Sequence, residues 1–226
     1  MKKSNKLLLG GFLTGLFLIS AIHIALYAKY KNGNYTVYSA DHMRANSMQL
    51  FPNILFVSLH NLPEATVRFS DVAGVDKTEA EGLQYVQKGD TLQIWGKGKE
   101  HGEIWDPIAF DLPYNATLSL HNSFITFRQG KKENNNPVIY LRKSQAFFMG
   151  VHNPFRLGNV KIIAADSSMA VFNGNNQVNS LDVQLTNSSI DYNEGNVGQL
   201  SILTDSASRI GLQYRHLLKA KITTTQ

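Results

Sequence analysis

The chain has no cysteine among its 226 residues. That absence excludes disulfides, thiolate metal sites, a cysteine nucleophile and an acylated lipoprotein cysteine. Also missing are the short motifs that carry common chemistry: a Gly-rich phosphate loop, a G-x-S-x-G elbow, an H-E-x-x-H pair and the calcium-binding Gly-Gly-x-Gly-x-Asp repeat. The expectation is a non-enzyme with no cofactor and no metal site.

Acid is absent from residues 1–31, which hold five lysines. They carry the whole formal net charge of +5, so the remainder is neutral and offers no general basic field for nucleic acid. From Leu7 to Ala28 the chain runs 22 residues without an acid or a lysine. As a helix this run is about 33 Å long, enough to cross a bilayer. Its twelve Leu, Ile or Phe residues favour insertion against small penalties from Gly, Ser, Thr and His23. A cleaved signal is the rival reading, but Leu26 at the −3 position before Ala28 makes a poor cleavage site. Lys2, Lys3, Lys6 and the amino terminus outweigh Lys29 and Lys31, so the rule of positive charge inside predicts an exported C-terminal part. His23, alone near the outer end, reads as a neutral interfacial residue.

Beyond the span a repeat is visible. Aligned on the residue before a serine, Asn122, Lys143, Asp166 and Asn187 recur at separations of 21, 23 and 21 residues, a solenoid period. The positions four and two before them are Leu118 and Leu120, Ile139 and Leu141, Ile162 and Ala164, Val183 and Leu185. Those three and five after are Ile125 and Phe127, Ala146 and Phe148, Met169 and Val171, Ile190 and Tyr192. All sixteen are apolar. Spacing of two within each half is that of a strand, and the odd step of five between halves demands a bend. The predicted corner column is Asn122, Ser123, Lys143, Ser144, Asp166, Ser167, Asn187 and Ser188, with the serine hydroxyls pairing along the stack or with corner backbone. A looser fifth rung starts at Leu200 and Ile202 and resumes at Ile210 and Leu212.

Upstream, Ile54 to Phe69 and Leu83 to Trp95 alternate as strand pairs, out of register with the later set, and read as N-terminal rungs or a cap. Lys97 to Asn115 and Lys131 to Pro137 read as loops. The predicted fold is an all-β, short parallel β-solenoid with rungs of about 20 residues, preceded by one transmembrane helix. Its organisation is a cytoplasmic tail at 1–6, an anchor at 7–28, a linker at 29–48, N-terminal rungs or cap at 49–112, solenoid repeats at 113–213 and a C-terminal cap at 214–226.

The stretches "LFVSLHNLPEATVRFS", "LQYVQKGDTLQIW", "NSFITF" and "NSSIDY" resemble the auto-transporter adhesin head domain of bacterial envelope proteins, the GIN domain, over roughly Gln49 to Leu212. The resemblance implies a short parallel solenoid behind a signal or anchor, in the bacterial cell envelope, and supplies no catalytic residue. This chain departs from the family's Gly-rich turns by placing Asn, Lys and Asp at its corners.

Among candidate sites, the pairs His60-Asn61, His121-Asn122 and His152-Asn153 read as turn residues rather than metal ligands. An Asp166–Asp205 pair across one rung reads as corner acids bonded to backbone. His101, Glu103, Trp105 and Asp106 form the best local cluster of reactive groups, a candidate ligand loop. The leading functional expectation is a membrane-anchored, exported, non-catalytic module for adhesion or envelope interaction, with the membrane as one partner through residues 7–28 and an envelope protein or glycan as the other. One rival is a carbohydrate-active β-helix enzyme using Glu103, Asp106 or Asp111. Another is a single-span sensor signalling through helix association at Gly10, Gly11 and Gly15.

Overall fold

The computed structural model describes residues 3–31, 48–77, 83–96, 108–130, 133 and 135–225. The chain divides into two units, residues 1–45 and 46–226.

The described part of the first unit is a helix, α1 (Lys3–Lys31). Its segment Gly10–Lys29 has a mean hydropathy of 1.8 and is long and apolar enough to cross a membrane. Phe12, Phe17, Leu18, Ile22 and Ile24 are exposed. Thr14 and Ser20 donate their hydroxyls to the carbonyls of Gly10 and Leu16, four residues back. His23 Nδ1 lies 2.9 Å from the Ile19 carbonyl. The helix therefore supplies partners to its own polar side chains, as an apolar solvent requires.

The second unit is built almost wholly of strands. In chain order they are β1 (Met48–Phe51), β2 (Phe56–His60), β3 (Ala65–Ser70), β4 (Ala73–Asp76), β5 (Leu83–Lys88), β6 (Thr91–Gly96), β7 (Ile108–Pro113), β8 (Thr117–His121) and β9 (Phe124–Arg128). Then follow β10 (Val138–Arg142), β11 (Gln145–Ala165), β12 (Met169–Thr186), β13 (Ser189–Tyr192), β14 (Asn196–Thr204), β15 (Arg209–Leu212), the short helix α2 (Tyr214–Leu217) and β16 (Ala220–Thr224).

These strands wind into a parallel solenoid of about five turns. One wall runs β6-β2-β8-β10, then the C-terminal halves of β11 and β12, then β14-β16. The other runs β7-β3-β9, then the N-terminal halves of β11 and β12, then β13-β15. Antiparallel strands lie beyond this parallel run at its N-terminal side: β5 on β6, and β4 then β1 on β7.

β11 and β12 cross from one wall to the next without a break. The bends fall at Gly150 and Gly174, where a Cβ would meet the carbonyl oxygens of Asn175 and Gly150 at 2.6 Å in both cases. Gly174 also has φ +76°, so both positions need the absent side chain.

The interior rows of the first wall agree with the repeat: Leu118, Ile139, Ile162, Val183 and Ile202 stack in register, as do Leu120, Leu141, Ala164 and Leu185. On the second wall one rung is shifted by a residue. Ala146 faces Ala170 and Phe148 faces Phe172, so Met169 and Val171 lie in outward rows. The cause is the corner before them, where both Asp166 (φ 57°) and Ser167 (φ 65°) are left-handed, whereas the corners at Asn122, Lys143 and Asn187 spend one residue on that conformation. The correction completes an aromatic ladder. Phe127, Phe148, Phe172 and Tyr192 stack with centroid separations of 4.8, 4.2 and 4.8 Å, and His216 from α2 meets Tyr192 edge-on at 4.6 Å. Each such pair contributes about 0.5–1.5 kcal/mol beyond its burial. Burial drives the Tyr192 phenol well above its ordinary range, partly offset by Arg215, and its hydroxyl donates to the Asn196 carbonyl.

The N-terminal segments differ from the expectation that they lie out of register. β2 sits between β6 and β8 with His60 opposite both Trp95 and His121, and β3 sits between β7 and β9. The rung formed first in sequence is thus the middle one of three. Residues 114–116 step across its end, with Tyr114 N bonding Ser70 O and Thr117 N bonding Leu55 O. Two stretches read as loops contain ordered structure. Ile108–Pro113 is a wall strand, and Asn135, 1% exposed, bridges to Leu157. At the far end β16 adds a further strand to the first wall, within the stretch read as a cap.

Candidate functional site

The corner between the walls is held by a ladder of serines. Ser123 N donates to Ser144 Oγ (3.1 Å), Ser144 N to Ser168 Oγ (3.2 Å), Ser168 N to Ser188 Oγ (3.2 Å) and Ser188 N to Ser208 Oγ (3.1 Å); Leu62 N reaches Ser123 Oγ at the other end (3.1 Å). Each of Ser123, Ser144, Ser168 and Ser188 donates its own hydroxyl to a carbonyl of the same corner. Ser167 is not in this ladder. It is exposed, and Ser168, 1% exposed, takes the place expected of it. A buried backbone N–H at every rung is thereby satisfied by a side chain on the next.

Asn61, Asn122, Lys143, Asp166 and Asn187 precede these buried positions with φ between 46° and 57°. Left-handed geometry turns the chain so that apolar residues on both sides of an odd step point inward. Asn and Asp tolerate it best. Asn122 Nδ2 also donates to Asn61 Oδ1 (3.0 Å), an amide pair outside the serine ladder.

Just before the corner, the outward residues of four neighbouring strands are in register: Trp95, His60, His121 and Arg142. Parallel strands about 4.8 Å apart place like side chains face to face. The Trp95 and His60 rings stack at 5.4 Å and 14°, and the His60 and His121 rings at 4.8 Å and 6°. Ser58 Oγ lies 2.8 Å from His60 Nε2, and Ser119 Oγ 2.9 Å from His121 Nε2. Burial, and then the neighbouring His121, hold the His60 imidazole below its ordinary value of 6.5. Arg142 Nε donates to Asp166 Oδ2 (2.6 Å), with side chains 66% and 43% exposed, so the pair fixes geometry more than it stabilises. Gln93, Ser58, Ser119 and Tyr140 form the next outward row.

The histidines were read from sequence as separate turn residues, and their meeting was missed. The available signal was the tetrapeptide Ser-Leu-His-Asn, which occurs identically at 58–61 and 119–122. Its separation of 61 residues lies outside the period near 20 of the serine corners.

Other candidates fall elsewhere. His101, Glu103, Trp105 and Asp106 lie outside the described residues. Asp111 is paired with Arg68 at 2.6 Å. Asp205 accepts hydrogen bonds from Ser208 Oγ and Asn187 N, and these hold its carboxyl below the ordinary 3.8. Asp166 and Asp205 are thus both engaged at the corner. Among the described residues no group of three or more His, Asp or Glu could hold a metal ion.

No family model matches the chain, and no curated protein matches it. Among solved structures it is similar to a crystal structure described as a "putative cell adhesion protein" from Clostridium sporogenes, with 8% identity, 78% of this chain and 93% of that chain covered, and a TM-score of 0.24. A likeness of that size carries no argument about fold or function.

Proposed function

We propose that the chain is a membrane-anchored, exported and non-catalytic β-solenoid module that binds a component of the bacterial cell envelope or an adjoining surface. The observation that carries this reading is the in-register outward row of Trp95, His60 and His121, all half-buried, and the exposed Arg142, flanked by Asn61 and Asn122. Such a row presents aromatic surface and hydrogen-bonding edges along an axis. Long flat walls of this kind suit extended ligands. The exposed apolar side chains of α1 and the lysine excess before it support the anchor and its orientation. The resemblance to the GIN domain supports the same reading.

The experiment uses the full chain in detergent micelles with a panel of envelope polysaccharides, following thermal shift and release of reducing ends together. Stabilisation without release is the expected result. Release of reducing ends, lost in Glu103→Gln or Asp106→Asn, overturns the reading in favour of a glycan-cleaving enzyme.

A further inference from the structure

Strands β6, β2, β8 and β10 contain no Asp or Glu. Their corner row is therefore unusual for a half-exposed wall: two imidazoles and a guanidinium stand in line with no acid on the same strands. The geometry also fixes which atoms are available. The Nε2 atoms of His60 and His121 are taken by Ser58 and Ser119, and no described residue bonds either Nδ1. Arg142 spends its Nε on Asp166, and its two terminal nitrogens remain. Lys143 stands exposed at the next corner position.

The charges around the row are Arg142, Lys143 and Asp166, with Glu64 exposed in the turn after Asn61. Trp95 on β6 faces His60 from one side and His121 on β8 from the other; beyond His121 lie Arg142 on β10 and Ala165 on β11. Among the described residues, every titratable group stacked directly on the imidazoles is thus neutral or cationic, and the two imidazoles have no acid beside them, whereas Arg142 has Asp166. The donors repeat at the strand spacing of about 4.8 Å along one line. A compact anion would meet one or two of them, whereas an extended polymer with acceptors at regular intervals meets all.

We infer that this row binds a linear, carboxylate-bearing polysaccharide laid along the solenoid axis, with Nδ1 of His60 and His121 and the guanidinium of Arg142 donating to its carboxylates and hydroxyls. This deepens the binding-module reading and rests on it. Ligand carboxylates place an acid beside the row, so binding takes up a proton on His60, which burial keeps neutral in the free protein. Affinity then rises as pH falls through the histidine range, by up to about tenfold per pH unit for each proton taken up. The ligand stays ionised over that range because ordinary carboxylates titrate near pH 4.

The test measures binding of the full chain in detergent micelles to polygalacturonate, to its fully methyl-esterified neutral form, and to polyphosphate, at pH 8 and 5.5 and constant ionic strength. Polygalacturonate is expected to bind about tenfold or more tighter at pH 5.5, with the ester far weaker at both. The double variant His60→Phe/His121→Phe keeps flat stacked rings and should melt near the parent temperature while losing the pH dependence. Arg142→Gln should weaken binding at both pH values. An ester that binds equally, an unchanged pH profile in the double variant, or no binding of polygalacturonate overturns the inference. Equal binding of polyphosphate overturns the carboxylate assignment. The first three outcomes leave a neutral glycan or a protein as ligand for the module and the last a polyanion of another class, while the module's own reading falls only through the release of reducing ends.

Discussion

At the scale of single residues, two adjacent serines separate two physical roles. Ser168 Oγ accepts from the buried N–H of Ser144, whereas Ser167 occupies an exposed left-handed turn. Ser168→Ala should cost about 1–3 kcal/mol, the penalty for an orphaned buried donor. Ser167→Ala should fall within about 0.5 kcal/mol of the parent. Urea unfolding of both variants decides between them, and equal midpoints would remove the ladder from the account of stability. Asp205 gives a pH-dependent counterpart. Its carboxylate is favoured in the folded corner by Ser208 and then by Asn187 N, so its contribution is whole above the ordinary value of 3.8 and is lost as pH falls through the lower folded value. Asp205→Asn should therefore melt below the parent at pH 7, with the gap closing in melts recorded below pH 3.8.

At the scale of elements, the solenoid depends on each rung covering the next, since no rung can bury its apolar side alone. Phe172, fully buried between Phe148 and Tyr192, should cost about 3–5 kcal/mol on truncation to alanine. Val171, in an outward row and outside the core cluster although only 5% exposed, loses less buried volume on the same change and should cost clearly less. The reverse order of melting temperatures would restore the register read from sequence. On the first wall, Leu185→Asp introduces an unpaired charge into the interior and should unfold the domain, while Asp182→Ala, on the outer side, should not. Circular dichroism of the two variants at room temperature distinguishes them.

At the scale of the whole molecule, α1 is long and apolar enough to cross a membrane and exposes Phe12, Phe17, Ile22 and Ile24, so the anchor reading has a direct test. The full chain should remain in the membrane pellet through alkaline carbonate extraction, and a variant lacking residues 3–31 should leave it. Recovery of the full chain in the carbonate supernatant would overturn the anchor. The wall that carries the candidate site also depends on long-range order, because its stacked row joins residues 60, 95, 121 and 142 from four strands.

The sequence by itself determined the all-β solenoid, the apolar helix and the corners at Asn122, Lys143, Asp166 and Asn187. Those features are local. Alternation records which side of a strand faces inward, and the odd step across each corner requires a turn wherever it occurs. Only the tertiary structure decided that Ser168 rather than Ser167 joins the ladder, that Phe172 rather than Val171 fills the interior, and that His60 stacks on His121. Each of those choices is a register between strands, fixed by contacts between residues from 20 to 61 positions apart. Within the Asp-Ser-Ser corner both serines satisfy the local pattern equally well, and the neighbouring rung's N–H and aromatic ring select one. The Ser-Leu-His-Asn repeat was legible as letters, but its meaning waited on the order of the first three rungs, where the chain places the earliest one in the middle.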